Sequence, residues 1–214
     1  MAMEKVTGSF EEAIKESSKV LNVTGQLIPS TFQQVNLIAK LKDGNMVEGE
    51  SEITKSNSSI IDIKLNPKDV TPSPQALKAI KNSDVIIIGP GSLYTSIIPN
   101  LLVPKIIEEI NNTNNPVIYV CNIATQLGET TGYNAISHLE SIKKFAPDLK
   151  ISSILVNSRI EELGDNFPTS TCVLHKNFNY SDIKVKYSDL MNMNFKGHHD
   201  PEKLSNAIFE ILNY

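Results

Sequence analysis

The chain is poor in the residues that most readily disclose a function. It has no tryptophan, two cysteines and four histidines among 214 residues. Cys121 and Cys172 each have an apolar neighbour and show no CxxC spacing, so neither a zinc site nor a disulfide framework is suggested, and a reducing, cytoplasmic setting fits. Positive charge is not in surplus either: 20 Lys and Arg stand against 24 Asp and Glu, a net charge of -4. Nucleic acid is therefore not an expected partner, because phosphate binding needs clustered Lys and Arg. No apolar run reaches the roughly 18 residues of a membrane span, and the opening "MAMEKVTGSF" lacks the apolar region of a secretory signal.

What is present is enough apolar material for a core, 40% of residues, in a chain the length of one large or two small domains. The first expected element is a helix over "SFEEAIKESSKVLNV". Ser9 and Glu12 form a capping box there, and Phe10, Ala13, Ile14, Val20 and Leu21 recur at helical spacing. A helix with no strand before it is unusual in an α/β protein. Asp43-Gly44 between short apolar segments predicts a β-hairpin. Alternation at Ile61, Ile63 and Leu65 predicts a further strand that Pro67 stops. Ser73 and Pro74 then open a short helix as cap and first residue.

From Asp84 onward short apolar strands alternate with helices, the pattern of a parallel sheet covered on both faces. Strands are expected at 85–88, 117–121, 151–156 and 183–187. Helices are expected near 101–111 and 134–145, with a final one opened by Asp200-Pro201. The spacing suits right-handed crossovers. The predicted architecture is one α/β unit over residues 1–214, Rossmann-like and mostly parallel, with an antiparallel hairpin elaboration at about 26–66.

Ligands of open parallel sheets sit beyond the carboxyl ends of the strands, where loops and helix amino termini present amide hydrogens. Three segments fall there. In "GPGSLYTS", Gly89 and Gly91 allow close backbone approach, and Ser92, Thr95 and Ser96 offer hydroxyls, so a phosphate would fit. Neither the P-loop nor the GxGxxG spacing is met, and chemistry alone weighs a ligand cradle and a plain connector equally. In "CNIATQLGETTGYNAISH", the polar set Asn122, Thr125, Gln126, Glu129 and Thr130 serves either to cap the next helix or to recognise a sugar or base edge. In "VNSRIEELGD", Asn157 and Arg159 could reach the same crevice, Arg159 pairing with a diphosphate; the plainer alternative is an ion pair with Glu161 or Glu162. "GHHD" at 197–200 looks like a metal pair, but adjacent histidines in an extended loop diverge and Asp200 serves as a cap. No catalytic triad can be assembled, and no metal site is expected.

The runs "DVIIIGPGSLYTSIIPNLLVPKI" and "VIYVCNIATQLGETTGYNAISHL" resemble the YvcK family of gluconeogenesis factors, within the superfamily that includes 2-phospho-L-lactate transferase (CofD). "GSFEEAIKESSKVLNVTGQLIPST", "VEGESEI" and "PQALKAI" extend the resemblance over nearly the whole chain. It implies a Rossmann-like domain that binds a UDP-sugar and regulates carbon metabolism, cell shape and cell-wall precursor supply, with no reaction firmly assigned. Carried over by position, Gly89, Gly91, Ser92, Thr95, Ser96, Asn122, Thr125, Gln126, Glu129 and Thr130 would form the ligand crevice. The family's amino-terminal glycine-rich GGGTG turn and its Asp-Asp-Gly-Ser-like loop have no counterpart here. The chain is thus expected to be the carboxyl-terminal portion of such a fold, completed by a homo-oligomer or a complementary amino-terminal chain. The alternatives are a CofD-like transferase, against which the lack of a paired Asp motif argues, and a truncated domain without activity of its own.

Overall fold

Two sheets organise the computed structural model, which describes residues 8, 11–14, 16, 25–56, 58–175, 180 and 182–213. The first is antiparallel and three-stranded, in the order β2-β1-β3, with β1 at Asn36–Leu41, β2 at Met46–Glu48 and β3 at Ile60–Asn66. The Asp43-Gly44 turn closes the β1–β2 hairpin as expected. Gly44 takes φ +92°, and the Asp43 carboxylate accepts the Asn45 amide at 3.0 Å, a local bond that stabilises such turns. Between β2 and β3 lies α1, Glu50–Lys55, which the apolar spacing did not announce. Its charges, Glu50 and Glu52 in the first turn and Lys55 in the last, complement the helix dipole, and Ile53 is fully buried. Helix α2, Pro74–Lys81, starts as expected: the Ser73 hydroxyl accepts the Ala76 amide at 3.3 Å and proline takes the first turn.

The second sheet is parallel throughout, in the order β4-β5-β6-β7: Ile86–Ile88, Val117–Val120, Ser153–Asn157 and Lys184–Ser188. After β4 the chain makes one π-helical turn, Leu93–Ile97, that runs into α3, Ile98–Leu101, and then α4, Ile106–Asn112. Helix α5, Ala135–Phe145, links β5 to β6, and α6, Pro201–Leu212, follows β7. Residue alternation along β5 divides the core. Val117 and Tyr119 join the cluster that contains α3, α4, α5 and the three-stranded sheet, whereas Ile118 and Val120 join Leu155 and, on α6, Ala207 and Ile211. Helices thus cover both faces, which is why the strands read as unbroken apolar runs.

Residues 11–14 and 16 are helical; Ser9, Phe10, Val20 and Leu21 of the expected first helix lie outside the described residues. The link from β6 to β7 returns alongside the loop after β5. Thr125 donates its amide to Thr171 O at 2.9 Å, and Val173 donates to Ile123 O at 2.7 Å. That lacing fixes one side of the loop that carries the polar set.

Candidate functional site

The loops leaving β4 and β5 meet at the carboxyl edge of the parallel sheet and line a cleft of about 510 Å³. Gly89, the first residue past β4, takes φ +82°, and a Cβ there would stand 2.9 Å from the backbone oxygen of Val120. Glycine is needed because the turn presses against β5. Gly91 differs: a Cβ would meet Ser96 Cβ at 3.7 Å, an ordinary contact.

Asn122 holds the turn through both functions of its amide, donating from Nδ2 to Gly91 O at 2.8 Å and accepting the Gly91 amide on Oδ1 at 3.2 Å. Behind that pair sits Glu129, only 2% exposed. Its Oε2 accepts the Tyr94 amide at 3.1 Å and its Oε1 the Thr95 hydroxyl at 2.8 Å, so a carboxylate caps the π-helical turn. Burial raises the Glu129 carboxyl above its ordinary range, opposed by the hydrogen bonds from Thr95 and Tyr94. Gln126 donates from Nε2 to Ser92 Oγ at 2.8 Å and ties the two loops together. Its amide is received by the Thr130 hydroxyl at 2.8 Å, and its Oε1 is buried with no hydrogen-bond partner among the described residues.

Nine of the ten candidate residues therefore separate into two groups. Gly91, Ser92, Asn122, Thr125 and Gln126 line the cleft. Gly89, Thr95, Glu129 and Thr130 stand behind it as supports, the last three buried. Ser96 is exposed, and its carbonyl accepts Asn100 Nδ2 at 2.7 Å. Arg159 does not line the cleft. It pairs with Glu161 at 2.7 Å and Asp189 at 3.1 Å, and Lys203 reaches the same Asp189 oxygen at 3.0 Å. Asn157 is buried and its Oδ1 accepts the Leu190 amide at 3.0 Å, so it holds the loop after β7.

The opposite wall comes from residues that sequence reasoning did not assign to the site. Phe167, His198 and His199 all face the cleft. The rings of Phe167 and His198 lie 5.4 Å apart, tilted by 58°. A side chain on Gly197 would collide with the Phe167 ring, so that glycine is what admits the aromatic. His199 Nε2 meets Cys121 O at 3.2 Å, and burial drives its imidazole down to about 4, opposed by that bond. Asp200 accepts the amides of Glu202 and Lys203 and caps α6, as expected. Among the described residues no group of three or more His, Cys, Asp or Glu is placed to hold a metal ion.

The model of one protein family, described as 2-phospho-L-lactate transferase CofD, matches residues 1–190. The chain belongs to the CofD family. Within it, the similar proteins carry the name gluconeogenesis factor. That of Halalkalibacterium halodurans is 45% identical over 155 residues, 72% of this chain and 48% of its own length. That of Bacillus subtilis is 45% identical over 157 residues, 73% and 50%, and that of Listeria monocytogenes 33% identical over 215 residues, 99% and 67%. The chain thus spans about half to two thirds of the length of these relatives. A crystal structure of a UPF0052 family member from Bacillus halodurans superposes with a TM-score of 0.86 at 35% identity, covering 97% of this chain and 70% of that one. The stretches of highest structural interest, the loops after β4 and β5, fall inside the family match.

Proposed function

We propose that the chain binds a nucleotide sugar of the UDP-sugar class in this cleft, and acts in the cytoplasm as a regulator of carbon metabolism, cell shape and cell-wall precursor supply. The observation that carries the reading is the joining of Ser92 and Gln126, from the loops after two adjacent parallel strands, at the wall of one cleft. Crevices at this edge of an open parallel sheet are where such folds bind ligands. The volume, about 510 Å³, falls within the ~300–1,000 Å³ of small-molecule sites. The relatives' name, gluconeogenesis factor, supports the regulatory part.

The test is thermal denaturation of the chain with UDP-N-acetylglucosamine, UDP or a GDP compound. A ligand bound only to the folded state stabilises it by RT ln(1 + [L]/Kd), about 2.7 kcal/mol at a hundredfold excess over Kd. A rise in melting temperature with the uridine compounds is expected, and its absence would refute the reading. The family model's description favours a second reading, a CofD-like transferase that moves a phosphate-linked lactyl group from a guanosine diphosphate donor to a deazaflavin. Turnover of such a donor in the presence of a deazaflavin would establish it in place of the first.

A further inference from the structure

We infer that this cleft recognises an uncharged part of its ligand, a sugar or a nucleoside, because no lysine or arginine among the described residues lines it and Asn122 and Glu129 already take the Gly91 and Tyr94 amides of its glycine turn. The inference rests on the nucleotide-sugar reading and narrows it: the cleft wall formed by the loops after β4 and β5 does not hold the phosphates.

A glycine turn between a parallel strand and a helical segment is ordinarily where backbone amides meet a phosphate. Here the donors at Gly91 and from Tyr94 to Ile97 have partners inside the protein. The Gly91 amide is taken by Asn122 Oδ1 at 3.2 Å, the Tyr94 amide by Glu129 Oε2 at 3.1 Å, and the Thr95 hydroxyl by Glu129 Oε1 at 2.8 Å. The amides of Ser96 and Ile97 both go to Ser92 O, at 3.0 and 2.9 Å. Glu129 thus stands where a ligand phosphate would, with both carboxyl oxygens on donors of the turn. An anion brought to the same donors would have to displace it.

The lining agrees. Among the described residues that line the cleft there is no lysine, arginine, aspartate or glutamate, and Arg159 is engaged by Glu161 and Asp189. His199 is held neutral at ordinary pH by its burial. A diphosphate seated here would give up water without gaining a cation, which is costly. What the walls do offer is neutral. Ser92 Oγ accepts from Gln126, leaving its own proton to donate. Phe167 and His198 add flat ring surface. Sugar hydroxyls, an acetamido group or a pyrimidine ring match that set.

The experiment follows the amide resonances of Gly91, Ser92 and Gln126 in the nitrogen-15-labelled chain during separate titrations with inorganic pyrophosphate, uridine, N-acetylglucosamine and UDP-N-acetylglucosamine. Saturable shifts with uridine or N-acetylglucosamine and none with pyrophosphate are expected. The affinity for UDP-N-acetylglucosamine should change by less than about twofold when salt is raised about tenfold, because screening acts on charge. Shifts of the Gly91 and Ser92 amides with pyrophosphate would overturn the inference, as would an affinity that falls about tenfold with salt. Silence from both neutral compounds would overturn it too. If UDP-N-acetylglucosamine fails to bind while a neutral compound shifts these amides, the nucleotide-sugar reading falls and the inference stands.

Discussion

Replacing Gly89 by alanine should damage the fold far more than replacing Gly91, although the two glycines sit two residues apart in one turn. At φ +82° a side chain costs about 1–2 kcal/mol from backbone sterics alone. The new methyl would stand 2.9 Å from Val120 O and 3.2 Å from Ile97 Cδ1. The first of these is backbone in a paired strand and cannot swing aside, so an overpacking cost of about 1–3 kcal/mol adds to the first. The sum, about 2–5 kcal/mol, is large against the ~5–15 kcal/mol that holds a domain folded. At Gly91 the nearest atoms to a new methyl are 3.7 and 3.8 Å away and φ lies outside the left-handed region. Alanine there also reduces the freedom of the unfolded chain, so a change within about 1 kcal/mol is expected. Urea unfolding followed by circular dichroism separates the two. With a slope of about 1–3 kcal/mol per molar urea, the Gly89→Ala midpoint should drop by about 1–2 M, while that of Gly91→Ala should stay within about 0.5 M of the parent. Coincident midpoints would refute the close approach of the turn to β5.

Asn122→Ala leaves both backbone groups of Gly91 without their partner and should cost about 1–3 kcal/mol, read as a lower melting temperature; an unchanged melting temperature would mean that water replaces the amide fully. Ser92→Ala and Gln126→Ala should each weaken UDP-N-acetylglucosamine binding by about three- to tenfold, the worth of one neutral hydrogen bond, with the unfolding midpoint preserved. Equal affinity in both variants would move the ligand elsewhere. Glu129 gives a pH signature. Its folded carboxyl is raised above the ordinary value of 4.5, so the folded chain holds the proton more readily than the unfolded one, and stability is lost as pH rises through the folded value. Glu129→Gln, which cannot ionise, should gain on the parent as pH rises from about 4 towards neutrality. Two parallel stability curves, differing only by a constant for the lost acceptor, would show that Glu129 does not titrate in this interval.

The parallel sheet was legible because burial on both faces imposes a signal that survives in a single chain. Ile86–Ile88, Val117–Val120 and Ser153–Asn157 are short, apolar and separated by helix-length segments, and only a sheet covered on both sides demands that. Turn chemistry was equally plain at Asp43-Gly44 and at Ser73-Pro74, where one residue's preferred backbone decides the local geometry. Helix α1 was not legible. Six residues with one buried side chain, Ile53, carry less than two turns of periodicity, too short a repeat to distinguish a helix from the end of a hairpin. The π-helical turn at Leu93–Ile97 was invisible for another reason: its cap, Glu129, comes from a different loop.

The same separation in sequence explains what happened to the site. The polar set after β5 and the hydroxyls after β4 were found because each set is dense locally. Their division into lining and support was not, since it depends on bonds such as Thr95 to Glu129 that span 34 residues. His199 is harder still: its partner, the carbonyl of Cys121, lies 78 residues away, and a histidine bonded to a backbone oxygen leaves no pattern in either neighbourhood. Gly197 held a signal that was read only as part of a loop. A glycine before two histidines is also what lets a ring pack on bare backbone, as Phe167 does. A glycine turn after a buried strand predicts a set of converging backbone donors, and the structure bears that out. It does not predict who receives them: from the neighbouring loop Asn122 takes the Gly91 amide and Glu129 the Tyr94 amide. The occupant of such a turn is therefore decided by the loop beside it, and here that loop carries Glu129.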